Sequence, residues 1–273
     1  YEIMKSCALT ESEEFELKRY VESKGMIFLS TPFSRAAAQR LFKFKVKALK
    51  IGSGECNNLP LLKHVSEAKV PLIVSTGMNS MESVRRTVSL LESLKVKFAL
   101  MHTTNLYPTP TNLVRLGAMQ EMMKEFPGIP IGLSDHTTTN TACIGAMAIG
   151  ADLVERHFTD HMNREGPDIV CSMDENTCSE LVRASQDIFK MRGGSKYELL
   201  DEEQVTRDFA YASVVTIKPI QKGEVFTLDN LWVKRPGDGE FMASDFEKIL
   251  GKRSNRNLMG GVQLKKVDIT NEI

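Results

Sequence analysis

Long apolar runs are missing from this chain. No stretch approaches the length of a membrane span, and no signal peptide is legible in the opening residues. An excess of charge of either sign is missing too. The 35 basic residues are matched by 35 acidic ones, so neither nucleic acid nor an anionic membrane is an expected partner. The five cysteines (Cys7, Cys56, Cys143, Cys171 and Cys178) are odd in number and lack metal-finger spacing. That argues against a disulfide scaffold and predicts reduced thiols in a cytoplasmic protein. No glycine-rich dinucleotide fingerprint follows an early strand, which weighs against an open nucleotide-binding sheet. What is present is 273 residues, 42% of them hydrophobic, enough for a sizeable core.

Short apolar runs alternate with helical stretches along most of that length. Strands are predicted at 26–31, 48–53, 72–76, 97–102, 129–134 and 152–157. Each is a continuous rather than an alternating run, as in strands buried on both faces. Helices are predicted at 11–23, 36–44, 61–68, 80–94, 112–126, 139–149 and 178–191, with start signals such as Thr10 before Glu11 and Ser80 before Glu82. The alternation implies a parallel sheet with right-handed crossovers. A closed (β/α)8 barrel needs two more strands than these six, and the segment ahead of Met26 reads as helix. The expected α/β fold is therefore a (β/α)8 TIM barrel lacking its first strands, over residues 1–195 of a chain that opens on Tyr1. Such a barrel is expected not to close, and to be inactive or poorly folded alone. An acidic linker over 196–208 leads to a small β-rich domain over 209–273, with strands at 212–217, 225–227 and 232–234.

Two histidines end apolar runs: Ile131-Gly132-Leu133-Ser134-Asp135-His136 and Asp152-Leu153-Val154-Glu155-Arg156-His157. Strand tips of a barrel converge on the face that carries the chemistry. Two imidazoles there can hold one divalent metal in a site left open to substrate. The competing reading is a pair of buried histidines satisfied by backbone carbonyls. At an earlier strand tip stands Lys50-Ile51-Gly52-Ser53-Gly54-Glu55. A lysine directed into a barrel is costly unless it meets an anion, and Ser53 with its glycine-flanked amides suits phosphate. The bland alternative is a lysine that snorkels out of the mouth. Ser75-Thr76-Gly77 repeats the theme on the next strand. In His102-Thr103-Thr104-Asn105-Leu106-Tyr107-Pro108, polar residues held by proline read as a rigid binding loop. Asn105 suits a carboxylate or hydroxyl; Tyr107 either covers a sugar ring or packs the loop. Glu55 and Asp168 suit a polyol, although an Asp after Pro167 is also a common turn former. A metal, an anion pocket and these carboxylates fit an enzyme joining a phosphorylated or carboxylated substrate to a carbonyl compound.

The segments KIGSGECNN, STGMN, HTTNLYPTPTNLVRLGAM, GLSDHT, ERHFTD and GPDIVCSM resemble those of bacterial N-acetylneuraminate (sialic acid) synthases. DFAYASVV and NLWVKRPGDGEF resemble that family's C-terminal antifreeze-like (SAF) domain, and the likeness runs from about Gly25 to the chain's end. It implies a (β/α)8 barrel joined to an antifreeze-like domain, in a domain-swapped homodimer whose small domains cover the partner's active site. It also implies a reaction. Phosphoenolpyruvate condenses with the open-chain aldehyde of N-acetylmannosamine, water adds, and phosphate leaves by C–O cleavage. On that resemblance Lys50, Ser53, Ser75, Asn105 and Ser134 hold phosphoenolpyruvate, with Thr31 nearby. His136 and His157 bind Mn2+ or Mg2+, which polarises the aldehyde. Glu55, Tyr107 and Asp168 position the sugar, and Glu55 transfers a proton. Arg235 reaches into the other subunit's site for the N-acetyl group. Lys50, Glu55 and the two histidines are thus the expected catalytic set. Family members carry about two further strands in front, with an acidic residue and a lysine that complete the site. Three other readings compete: a legionaminate-type synthase acting on a 2,4-diacetamido-6-deoxymannose, a non-catalytic sugar-binding protein, and an aldolase forming a Schiff base on Lys50.

Overall fold

Five short strands pair in chain order, all parallel: β1 (Leu49–Ile51), β2 (Leu72–Ser75), β3 (Phe98–Thr103), β4 (Ile131–Asp135) and β5 (Leu153–Arg156). The computed structural model describes Glu2, Lys5 and residues 7–270. Helices alternate with the strands: α1 (Glu11–Ser23), α2 (Arg35–Lys43), α3 (Leu59–Ser66), α4 (Met81–Ser93), α5 (Leu116–Glu125), α6 (Thr141–Ala148) and α7 (Glu175–Met191). Their starts follow the chemistry of the exposed helix amides. Thr10 and Glu13 form a reciprocal capping box on α1, and Ser34, Asn58, Ser80 and Asp174 each accept a backbone N–H in the first turn of α2, α3, α4 and α7.

Alternation along the strands sorts the side chains into two sets. Leu49, Ile51, Leu72, Val74, Leu100, Ile131 and Leu133 are buried against Leu41, Leu62, Leu91, Met119 and Ala146 of the surrounding helices. Burying each of the larger aliphatic side chains contributes about 1.5–3 kcal/mol. The alternate positions, among them Lys50, Ser75, Ser134 and Glu155, share the opposite, concave face. There Lys50 of β1 meets Glu155 of β5 at 3.3 Å, so the first and last strands face each other across the arc. The five strands form a half-barrel.

Three expectations are corrected. Residues 26–31 form no strand; one backbone hydrogen bond, from Lys50 N–H to Ser30 C=O, joins them to β1. Met26 and Ile27 stand 56% and 60% exposed, and Phe28 alone of this segment is buried in the core. The helix predicted over 112–126 is broken. A single 3₁₀ turn covers Thr111–Leu113, Arg115 takes a left-handed conformation at φ 56°, and α5 starts only afterwards. Residues 225–227 contribute one antiparallel bridge, Val225 to Arg253, rather than a strand.

The chain divides into two compact units, one ending at Gly193 and the other starting at Gly194. The second contains α8 (Gln204–Ala210), the antiparallel pair β6 (Ser213–Thr216) and β7 (Leu231–Lys234), and α9 (Phe246–Ile249). Its separate core is built on Val214, Ile220, Phe226, Leu231, Leu258 and Leu264. Asp268, buried there, pairs with Arg256 at 2.6 Å. No helix among the described residues is long and apolar enough to cross a membrane.

Candidate active site

The C-terminal tips of the five parallel strands bring most of the expected site residues to one mouth. Lys50 Nζ donates to Ser75 Oγ at 2.7 Å and lies 3.3 Å from Glu155 Oε2. Ser134 Oγ donates to the other oxygen of Glu155 at 2.8 Å. A lysine that is 12% exposed is thereby neutralised by one carboxylate and oriented by one hydroxyl. Ser53 is buried in the 3₁₀ turn after β1, where its Oγ accepts the Gly77 N–H at 3.1 Å. Asn79 fastens the two loops, donating to Ser53 C=O and Gly77 C=O. Gly77 makes a close approach to this loop: a Cβ there would stand 1.7 Å from Asn105 Oδ1 and displace that side chain. That Oδ1 is buried without a hydrogen-bond partner, an unmet bond available to a ligand hydroxyl.

The two histidines meet beside this cluster. Their ring centres lie 5.2 Å apart with the rings perpendicular. His136 Nδ1 is fixed on Thr104 C=O at 3.0 Å, which leaves Nε2 toward the mouth. Burial holds His136 below the usual histidine pKa, against the opposing pull of that carbonyl, so neutral imidazole is the favoured form. An ion with nitrogen ligands at about 2.0–2.1 Å holds two ring centres about 5 Å apart at a tetrahedral angle, so this pair fits a divalent metal. Tyr107 packs its ring 4.1 Å from His136 and 5.7 Å from His157. Desolvation raises its phenol pKa, keeping the hydroxyl protonated. Asp168 Oδ2 lies 3.6 Å from His157 Nδ1.

Three other expected residues, Glu55, Thr31 and Arg235, make different contacts. Glu55 Oε2 accepts from Asn58 Nδ2 at 2.5 Å, which ties it to the residue that caps α3. Thr31 lies beside Gly52. Arg235 belongs to the second unit, with its guanidinium 5.9 Å from the Phe209 ring centre.

Two features went unremarked in the sequence. Glu155 stands two residues before His157, so strand periodicity places both on one face. Behind the mouth, Asp135 and Arg156 form a fully buried ion pair at 3.2 Å. Asp135 also accepts from Thr137, while Arg156 donates to Asn140 Oδ1 and Thr137 C=O. The pair locks the tips of β4 and β5 immediately before the two histidines. A charge of each sign, adjacent to a histidine on successive apolar strands, was the available signal.

The NeuB family model matches residues 1–197, and a SAF domain model matches residues 211–270. The chain belongs to the NeuB family. Relatives include an uncharacterized protein of Methanocaldococcus jannaschii, 39% identical over 241 residues, which are 88% of this chain and 71% of that protein. The N,N'-diacetyllegionaminic acid synthase of Legionella pneumophila is 34% identical over 269 residues, 97% of this chain and 75% of that protein. Among solved structures, an N-acetylneuraminic acid (sialic acid) synthetase from Leptospira borgpetersenii superposes with a TM-score of 0.71 at 29% identity, covering 74% of this chain and 70% of that one. This NeuB-family chain thus has relatives among sialic and legionaminic acid synthases, and its second unit contains a SAF domain.

Proposed function

We propose that the protein is an N-acetylneuraminate synthase, condensing phosphoenolpyruvate with N-acetylmannosamine to give sialic acid and phosphate. The observation that carries this reading is the joining of Lys50 and Ser134 around a single carboxylate, with Ser75 orienting Lys50, beside His136 and His157. Two groups that already hold one anion can hold another. The phosphoenolpyruvate anion displaces Glu155 and takes Lys50, Ser75 and Ser134 as its partners, with Ser53, Asn105 and Thr31 bordering it. The enol carbon C3 then bonds to the sugar's aldehyde carbon, water adds at C2, and the C–O bond to phosphate breaks. A divalent metal held by His136 and His157 supplies Lewis acidity at the aldehyde when bound. Tyr107 and Asp168 orient the open-chain sugar, and Glu55 moves a proton at the sugar or the attacking water. Arg235 binds the N-acetyl group across a domain-swapped homodimer. Exposed apolar side chains in the linking segment, among them Tyr197, Leu199, Val205 and Phe209, support such an association. A legionaminate-type synthase is the second reading, favoured by the 34% identity to the Legionella enzyme.

The test is a competition. The full chain is incubated with phosphoenolpyruvate, Mn2+ and equal amounts of N-acetylmannosamine and its 2,4-diacetamido-6-deoxy analogue, and products are read by mass spectrometry. Sialic acid as the dominant product supports the proposal, and the diacetamido product establishes the second reading. Consumption of neither sugar counts against both.

A further inference from the structure

Asp135 and Arg156 are direct partners in the β4–β5 register, each one residue ahead of a site histidine. Alternation places them on the face opposite Ser134 and Glu155, and their side chains are 2% and 0% exposed. A buried ion pair is weak support for stability, since replacing one with well-packed apolar residues is often neutral or stabilising. What this pair supplies is geometry. The Asp135 carboxylate accepts the Thr137 N–H at 3.0 Å and the Thr137 hydroxyl at 2.8 Å, closing a turn around His136.

The guanidinium of Arg156 reaches further segments. Nη1 donates to Asn140 Oδ1 at 2.7 Å, and Asn140 Nδ2 donates in turn to Thr177 C=O at 2.8 Å and Glu180 Oε2 at 3.2 Å, both in α7. Nη2 donates to Thr137 C=O at 2.5 Å, on the far side of His136, and to Cys171 C=O at 3.4 Å. Cys171 ends the 3₁₀ turn that Asp168 opens. That turn is closed on Asp168 C=O, which accepts the Cys171 N–H at 3.2 Å and the Ser172 hydroxyl at 2.8 Å. Just beyond it, Met173 N–H donates to His157 C=O at 2.8 Å. One planar cation thus ties together the backbone segments that carry His136, His157 and Asp168. Lys50, Ser53 and Ser75 belong instead to β1, β2 and the turn after β1, which are joined by their own ladder.

We infer that Arg156 is a positioning residue for the site: its fork of donors, anchored on Asp135, sets the two histidines and Asp168 relative to one another. Metal and sugar contacts then depend on Arg156 together, whereas the phosphoenolpyruvate contacts on β1 and β2 do not. A lysine keeps the charge beside Asp135 but lacks the planar fork that meets several acceptors at once. The inference deepens the metal and sugar reading above and rests on it.

The test compares the full chain with its Arg156→Lys variant. Mn2+ binding, read from the free-ion signal in electron paramagnetic resonance, is expected to weaken by about tenfold to a hundredfold. The KM of the sugar acceptor should rise with it, while phosphoenolpyruvate affinity stays near that of the parent. A second variant, Asp135→Asn combined with Arg156→Met, removes both charges at once. It is expected to keep the parent's urea midpoint or exceed it, and to show the same split, so it carries the test if Arg156→Lys fails to fold. Parental Mn2+ affinity in a folded variant would overturn the inference, leaving the pair as packing alone. Equal losses of Mn2+ and phosphoenolpyruvate affinity would also overturn it, because the whole half-barrel would then have loosened. Failure of the parent itself to bind Mn2+ would overturn the metal reading and this inference with it.

Discussion

Glu155 shares its strand face with His157 and occupies Lys50 and Ser134, the groups proposed to receive an anion. Its carboxylate acts as an internal competitor, neutralising a buried ammonium until substrate arrives. Glu155→Gln should therefore tighten binding of inorganic phosphate, by about tenfold at low salt, because the like charge facing the anion is gone. Calorimetric titration of both proteins checks this, and unchanged or weaker binding by the variant would refute the competitor role. Lys50 was legible in the sequence because a lysine inside an apolar strand demands an anion. Its resting partner was less legible, since Glu155 also reads as a solvated charge near a strand end.

At the level of elements, close approaches fix where the loops and strands sit. Gly77 and Gly132 both lack room for a side chain, with different consequences. A Cβ at Gly132 would lie 2.3 Å from Leu153 C=O, a backbone atom of the adjacent β5. At Gly77 it would strike the end of the Asn105 side chain, which can swing away. Gly132→Ala should cost about 2 kcal/mol or more in urea unfolding. Gly77→Ala should unfold nearly as the parent does yet bind phosphoenolpyruvate more weakly, because Asn105 and Ser53 are pushed aside. The reverse ranking in stability would contradict this assignment. The strand–helix alternation was readable because each buried parallel strand is a short apolar run bounded by turn residues. The failures came where local pattern and tertiary support diverge. Residues 26–31 are apolar enough for a strand, but only one backbone bond joins them to β1. The helix over 112–126 has the right composition, but Arg115 turns left-handed, and the chain restarts as α5.

For the whole molecule, the half-barrel places Lys50 and Glu155 of its two outermost strands in contact, so the anion cluster depends on the curl of the entire sheet rather than on one loop. The strand tips were legible as a site from sequence because histidine, lysine and serine end successive apolar runs. The curl that brings Lys50 of β1 to Glu155 of β5 was not, since curvature is a property of the sheet and its flanking helices together. Phosphoenolpyruvate affinity in the parent chain and in Lys50→Ala, compared by equilibrium binding, tests this most directly. Saturable binding that falls by about a hundredfold or more in Lys50→Ala, the loss of a charge-assisted contact at a buried site, is the predicted result. Absence of binding in the parent, or equal binding by both proteins, would contradict the assignment of this mouth as the anion site.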